Sequence, residues 1–433
     1  MIKNLIVISI CLFASNSWGQ QPVRTFYDPG KTQIKEVYFK VNNVPEGNYT
    51  LYYDDGSLAQ KGDFVDGKKE GLFVDFYPYT KDTLRKINYI QNKKEGESQT
   101  FHKNGNISQI ASYANDRIEG KVESFYENGE LQATSFFVDN LPNGKSVTYY
   151  PDGQVEEELQ YVNGIIDGTV KSYFESGELQ EISHYKNGEL DGELVTYYPS
   201  GQISSSIHHK DGVKHGDYLT YFPSGKTEKK GKYRRGQPDG VFTELYEDGK
   251  VARKTVFTRG RIKGDITAYY PSGEKMELIS HDKYGTSTLK RSFYPSGQLM
   301  TEIPYRNGRP HGTQLVYHEN GKINEEVVFL NGKREGTSQR FDQEGNLILE
   351  RRFSNGRQTG EEKEFYKNGS VKSKTTYIAN YKDGNHQEFH ENGKLATEGI
   401  YKSNKKAGVW KQYDTNQNLI NEQDFSLEEK SAN

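Results

Sequence analysis

The sequence predicts an all-β protein, an elongated array of about seventeen antiparallel β-hairpins joined in one twisted, ribbon-like sheet. Three observations predict this fold. A glycine recurs every 24 residues, aromatic residues keep a fixed distance from it, and turn-forming tripeptides surround it. The periodic glycines are Gly105, Gly129, Gly153, Gly177, Gly201, Gly225, Gly249, Gly273, Gly297, Gly321, Gly345, Gly369 and Gly393.

The first element, residues 1–19, has the pattern of a secretory signal peptide. Lys3 supplies a positive start, and the stretch from Leu5 to Ala14 is apolar except for one serine. Ser17 and Gly19 are small residues at the positions that precede a cleavage site. Because the apolar stretch is too short to span a bilayer stably, we expect export to the periplasm, the outer envelope or the medium. A retained membrane anchor is the alternative.

The only cysteine, Cys11, lies inside this apolar stretch. A lipoprotein signal needs a small residue before the cysteine, and Ile10 stands there instead. Removal of the signal would leave no cysteine, so we expect neither disulfides nor thiol chemistry in the mature chain.

Composition also limits the function. Hydrophobic residues make up only 33% of the chain, but the 13% that are aromatic fall in register with the glycines, which a disordered chain has no reason to do. The 57 basic and 60 acidic residues give a net charge of −3. This balance argues against a nucleic-acid partner and against binding to anionic membrane lipid.

The array is predicted to occupy residues 20–425, with irregular spacing over 20–100, a strict 24-residue period over 101–425, and a polar tail at 426–433. Positions are counted here from the periodic glycine as zero. Around Gly153, position −4 is Tyr149, +2 is Val155 and +8 is Tyr161. These are all even offsets. Side chains on a strand alternate between faces, so we expect the three columns to share one face.

Short turn-forming motifs in the sequence identify the turns. Pro151–Gly153 is a hairpin tripeptide in which proline presets the backbone and glycine takes a left-handed conformation. Positions −4 and +2 are therefore expected to face each other across the hairpin. A second connection, Asn163-Gly164 followed by Gly168, joins each repeat to the next.

Several repeats resemble the MORN family, in its bacterial variant form. The segment Tyr305–Gly312 followed by Tyr317–Lys322 is close to the family pattern. Gln314 stands where standard repeats carry a further glycine, and Trp410 is the only tryptophan beyond the signal. The resemblance implies an elongated antiparallel β-ladder with scaffold or binding roles. It brings no enzymatic residues, and some bacterial members are labelled antitoxins.

Metal chemistry is not expected. His386 and His390 have the spacing of a zinc motif that requires a helix, but they lie on a predicted strand. An acidic column precedes the second glycine, as at Asp167 and Asp191. Two members lie about 9.6 Å apart by strand spacing, too far to share a calcium ion. We expect no catalytic residues, no metal and no cofactor.

Position −3 is the candidate contact surface, since it places rings on a face that is otherwise polar. Packing over the turn is one interpretation. The other is a row of accessible rings that stack on a protein partner or on sugars. The row comprises Tyr126, Tyr150, Phe174, Tyr198, Phe222, Tyr246, Tyr270 and Tyr294 and lapses at His318, Asp342 and His390.

Together these features predict an exported, non-enzymatic repeat scaffold that binds a protein partner. A glycan- or cell-wall-binding repeat protein is the first alternative, because tandem tyrosine-rich hairpins also occur in such proteins. An antitoxin or immunity role, suggested by the family label alone, is the second.

Overall fold

The computed structural model describes residues 22–426. They divide into two compact units, residues 22–202 and residues 203–426. The predicted signal peptide at 1–19 lies outside the described residues, as do residues 427–433 of the predicted tail. Residues 22–426 contain no helix, and therefore none able to cross a membrane.

The first unit is built from eighteen strands, each paired antiparallel with a chain neighbour. They are β1 Val23–Phe26, β2 Ile34–Val41, β3 Val44–Tyr52, β4 Leu58–Val65, β5 Lys68–Phe76, β6 Thr83–Ile90, β7 Lys93–Phe101, β8 Ile107–Ala114, β9 Arg117–Phe125, β10 Leu131–Val138, β11 Leu141–Pro142, β12 Gly144–Tyr149, β13 Val155–Val162, β14 Ile165–Ile166, β15 Gly168–Tyr173, β16 Leu179–Lys186, β17 Glu189–Leu190 and β18 Gly192–Tyr197.

The second unit continues the same alternation of hairpins and short connecting strands. Its strands are β19 Ile203–Lys210, β20 Val213–Tyr221, β21 Thr227–Arg234, β22 Gln237–Pro238, β23 Gly240–Leu245, β24 Val251–Thr258, β25 Arg261–Ile262, β26 Ile266–Tyr269, β27 Lys275–His281, β28 Ser287–Phe293, β29 Leu299–Arg306, β30 Arg309–Pro310, β31 Gly312–Tyr317, β32 Ile323–Leu330, β33 Lys333–Phe341, β34 Leu347–Ser354, β35 Arg357–Gln358, β36 Gly360–Phe365, β37 Val371–Ile378, β38 Tyr381–Phe389, β39 Leu395–Lys402, β40 Lys405–Tyr413 and β41 Leu419–Asp424. The predicted all-β hairpin array is thus confirmed.

The hairpin between β12 and β13 shows the local design. The amide of Tyr150 donates to the carbonyl of Gln154 at 2.8 Å, and the amide of Gly153 donates to the carbonyl of Tyr150 at 2.9 Å. Gly153 has φ of +89°, a conformation that side-chain-bearing residues rarely adopt. Tyr149 lies opposite Val155, as the sequence predicts. An aromatic–aliphatic pair of this kind stabilises a sheet by about 0.2–1 kcal/mol.

A β-bulge beside this turn overturns the expectation that the three apolar columns share one face. Tyr149 pairs with Val155, but the next residue back, Thr148, pairs with Glu157. Opposed residues share a face and consecutive residues alternate, so Val155 and Glu157 lie on opposite faces. Tyr161, four residues after Glu157, therefore lies on the face away from Tyr149.

The most buried row of the sheet runs along its middle, at positions −7 and +6. In the second unit Gly231 pairs with Tyr218, and its missing side chain leaves room for Phe242. A Cβ on Gly231 would fall 2.5 Å from that ring. Gly399 makes the same space for Trp410, which is only 5% exposed. At these two places a glycine in the row makes room for a large ring, which packs against the ring of the preceding repeat, Tyr218 for Phe242 and His386 for Trp410.

Candidate functional site at the turn edges

In each unit the strand ends form two margins made of turns, and these margins are called edges here. The hairpin edge carries the turns that contain the periodic glycines, such as residues 150–153. The connection edge carries the turns that join one repeat to the next, such as residues 162–165. Residues at these edges, rather than a pocket in the sheet, carry the candidate functional surface.

The ring column at position −3 lies on the hairpin edge and links consecutive repeats. The hydroxyl of Tyr150 donates to the backbone carbonyl of Tyr173, in the next repeat, at 2.8 Å. The ladder between β13 and β15 ends at Ser172, so this carbonyl lies just beyond the regular pairing. Equivalent bonds join Tyr126 to Tyr149 at 2.7 Å, Tyr246 to Tyr269 at 2.7 Å, Tyr270 to Phe293 at 2.8 Å, Tyr294 to Tyr317 at 2.8 Å and Tyr366 to Phe389 at 2.8 Å.

Histidines continue this linkage where the sequence suggested that the ring column lapses. His318 Nε2 lies 3.0 Å from the carbonyl oxygen of Phe341, and His390 Nε2 lies 3.0 Å from that of Tyr413. With a proton on Nε2, each imidazole donates as the tyrosines do. Asp342 does not continue it, because its carboxylate accepts amides of its own turn. The shared offset was the signal in the sequence for the histidines.

All eight predicted contact residues of this column are half-buried. They are Tyr126, Tyr150, Phe174, Tyr198, Phe222, Tyr246, Tyr270 and Tyr294. The hydroxyls of five of them are engaged by backbone carbonyls, whereas Phe174 and Phe222 have no hydroxyl to offer. What remains open to a partner is part of each ring face, and its use in binding stays a prediction.

The acidic column lies on the connection edge and links repeats there. Asp167 Oδ2 accepts the amide of Asn187, one repeat further on, at 3.0 Å. The same bond recurs between Glu70 and Gln91, Glu95 and Asn115, Glu119 and Asp139, Asp239 and Arg259, Glu335 and Asn355, and Asp383 and Ser403, at 2.7–3.3 Å. These carboxylates therefore serve turn amides, and no group of three or more metal-ligating residues occurs within residues 22–426.

The pair His386 and His390, which has the spacing of a zinc motif, and the neighbouring pair His208 and His209 lie in separate surroundings. His209 is buried at position +8 of its repeat, whereas His208 is exposed and lies beside Gly216. His386 is buried too. Its Nδ1 lies 2.9 Å from Thr375 Oγ1, and burial lowers its pKa below the ordinary value. His390 belongs to the hairpin edge.

An apolar strip marks the connection edge of the first unit. It is formed by Val138, Leu141, Val162 and Ile165, which are 46%, 49%, 47% and 50% exposed. Val138 pairs with Leu141, and Val162 pairs with Ile165. A Cβ added to Gly164 would lie 3.3 Å from Leu141, so the two pairs adjoin across neighbouring repeats. Sequence reasoning missed the strip because it followed residue types that recur in each repeat, whereas the residues flanking the connection turns change from one repeat to the next.

The comparisons with known proteins agree with this architecture. The family model described as MORN repeat variant matches more than half of the chain, and the chain belongs to that family. The matched residues are 45–66, 94–115, 118–139, 142–163, 166–187, 190–211, 214–235, 289–307, 310–331, 358–379 and 382–403. The resemblance seen in the sequence is thereby confirmed. No curated protein sequence matches the chain.

Solved structures with local similarity include TcdB2-TccC3, at 12% identity, covering 95% of this chain and 24% of that chain with a TM-score of 0.16. Another is TcdB2-TccC3-Cdc42, at 10% identity, covering 93% and 27% with a TM-score of 0.14. A third is the Photorhabdus luminescens Tc holotoxin pore carrying a TccC3 mutation, at 11% identity, covering 95% and 23% with a TM-score of 0.15. The chain spans about a quarter of these chains, and scores this low carry no argument about fold or function.

Proposed function

We propose that this protein is an exported, non-enzymatic repeat scaffold that binds protein partners through its connection edge. The apolar strip is the observation that carries the proposal. Four aliphatic side chains, each about half exposed, adjoin across two repeats. Contiguous exposed apolar residues rimmed by polar ones are typical of protein-interaction surfaces. Covering such a surface gains about 25 cal/mol for each Å² of apolar area removed from water.

The contrast between the positions that link repeats and the residues that flank the connection turns supports the same proposal. Positions that link repeats reuse the same chemistry in many repeats, such as a ring donor at −3 and a carboxylate before the second glycine. Residues flanking the connection turns differ from one repeat to the next. They are apolar at Val162 and Ile165 and charged at Lys186 and Glu189. A scaffold of this kind presents different side chains on a uniform framework.

The ring faces of the −3 column are proposed as a secondary contact surface, centred on residues 126–294. Their hydroxyl groups remain bonded to carbonyls while a partner contacts the exposed part of each ring. Export of the chain rests on the residue pattern of 1–19.

The test is a crosslinking pull-down from cell-envelope extract with matched variants. In the strip variant, Leu141→Lys and Ile165→Lys introduce two charges into the apolar strip. In the control, Val241→Lys and Val409→Lys introduce the same charges at strand positions that are 53% and 44% exposed. The proposal expects a protein captured by the wild type and the control but lost from the strip variant, and then saturable binding of that purified protein. Equal capture by both variants, or capture of nothing above background, would reject it.

A further inference from the structure

Two neighbouring connection turns of the second unit differ in the same way from the other connection turns that end in glycine. Arg235-Gly236 and Arg259-Gly260 are two-residue turns in which both residues have positive φ, and φ is +50° at Arg235 and +48° at Arg259. Within residues 22–426, the other such turns that end in glycine carry Asn or Asp at the first position. They are Asp66, Asn163, Asn187, Asp211, Asn307, Asn331 and Asn355.

Arginine is a poor residue for these positions. The left-handed conformation is tolerated by Asn and Asp, whose short side chains bond locally, and is disfavoured for long side chains. Residues held in such conformations cluster at functional sites, where the surrounding structure maintains them. Two adjacent repeats thus carry Arg instead of Asn or Asp at equivalent turn positions.

Both arginines line one cleft on the connection edge. The cleft has a volume of about 730 Å³ and is lined by His215, Arg234, Arg235, Gln237 and Arg259. Its size is within the range of ligand pockets in proteins, about 300–1,000 Å³. The turns that frame it are held in place by backbone bonds from Gly236 to Lys214 at 2.8 Å and from Gly260 to Pro238 at 2.9 Å.

The charge in the cleft is only partly compensated. Asp239 lies 3.8 Å from the Nε of Arg234, and it also accepts the backbone amide of Arg259 at 3.1 Å. Within residues 22–426, no carboxylate forms an ion pair with the guanidinium of Arg235 or of Arg259. Residues 226–263 hold twelve Lys or Arg against five Asp or Glu, in a chain whose net charge is −3.

We propose that this cleft binds the carboxylates of an extended acidic segment of a protein partner. The inference deepens the proposed function, on which it rests, by naming the chemistry of a partner. Arg235 and Arg259 lie one repeat apart, about 9.6 Å by strand spacing. On an extended peptide in the polyproline II conformation, which has about three residues per turn and rises about 3.1 Å per residue, carboxylates three residues apart lie on one face, about 9.3 Å apart. The planar guanidinium binds a carboxylate through two parallel hydrogen bonds. A long polyanion such as nucleic acid is disfavoured because the positive charge is local.

The probe is a fluorescein-labelled peptide of repeated Glu-Gly-Gly, with a Gln-Gly-Gly peptide as its neutral counterpart, and the readout is fluorescence anisotropy with the full chain at low salt. The test variant carries Arg235→Asn and Arg259→Asn, which introduces the residue found in five of the other turns that end in glycine, at Asn163, Asn187, Asn307, Asn331 and Asn355, and so is expected to keep the fold. The control variant carries Arg309→Asn and Arg357→Asn. It loses the same charge from exposed positions on the same edge.

The proposal expects the Glu peptide to bind and the Gln peptide not to bind. It also expects the test variant to weaken binding by about tenfold while the control stays within about twofold of the wild type. Absence of Glu-peptide binding, or equal weakening in both variants, would overturn it. A single-stranded oligonucleotide that binds as tightly as the Glu peptide, with the same loss in the test variant, would also overturn it. Failure here leaves the pull-down on the apolar strip unaffected, so the two proposals fail separately.

Discussion

The hydroxyl bonds of the hairpin edge should be measurable as stability. Tyr150→Phe and Tyr270→Phe together remove two hydroxyls, each of which donates to a carbonyl of the next repeat at 2.8 Å, and leave both rings in place. A neutral hydrogen bond contributes about 0.5–1.5 kcal/mol net. Both tyrosines are half-buried, so water replaces part of each lost hydrogen bond. The two hydroxyls belong to different units and share no partner, so their effects on the free energy of unfolding are expected to add. We expect a loss of about 1–2 kcal/mol for the double variant.

The chain supplies a matched control. Tyr149 and Tyr269 directly precede Tyr150 and Tyr270 in the sequence, and both are also half-buried. Their hydroxyls make no hydrogen bond within residues 22–426. Tyr149→Phe with Tyr269→Phe is therefore expected to leave stability within about 0.5 kcal/mol of the wild type. The assay is urea unfolding followed by circular dichroism, compared at unchanged m-value. If the two double variants show the same midpoint, the hydroxyl bonds do not link the repeats as described.

Three further outcomes follow from the same geometry. Phe174→Tyr adds a hydroxyl at position −3 and should raise the free energy of unfolding by about 0.5–1 kcal/mol in urea titration; an unchanged midpoint would contradict this. Gly399→Ala places a Cβ against the ring of Trp410 and should cost about 1–3 kcal/mol, whereas the solvent-facing turn substitution Gly105→Asn should cost less. Burial, with Glu362 beside the hydroxyl, raises the pKa of Tyr377 to about 12. Because the folded pKa lies above the unfolded value near 10, the stability that protonated Tyr377 contributes is present below pH 10 and is lost as pH rises toward 12. Tyr377→Phe should therefore reduce the slope of the free energy of unfolding with pH in that window.

Periodicity and turn chemistry were enough to predict the paired positions. The 24-residue glycine column, with its flanking proline or Asn, predicts that Tyr149 lies opposite Val155, and the structure pairs them. They did not place the two faces correctly. The alternation was counted straight through the turn, and the bulge between Val155 and Glu157 reverses it.

The functional surfaces were harder to predict for physical reasons. The sequence assigned Tyr150 to a column but gave no distance to the carbonyl of Tyr173, which depends on how repeats stack. The cleft at Arg235 and Arg259 was missed because charge was summed over the whole chain, where acidic segments cancel it. Its local signal was available in the turn residues, since Arg replaces Asn there in two successive repeats.

The central claim is that the chain is an array of interchangeable hairpins, each held mainly by its neighbours. The direct test is a deletion of one full period, residues 154–177, which joins Gly153 to Glu178 and keeps every turn and pairing pattern intact. The comparison is a deletion of half a period, residues 154–165, which breaks the register. We predict a β-sheet circular dichroism spectrum and a cooperative urea transition for the full-period deletion, with both lost or strongly weakened for the half-period deletion. Equal disruption by the two deletions would contradict the account.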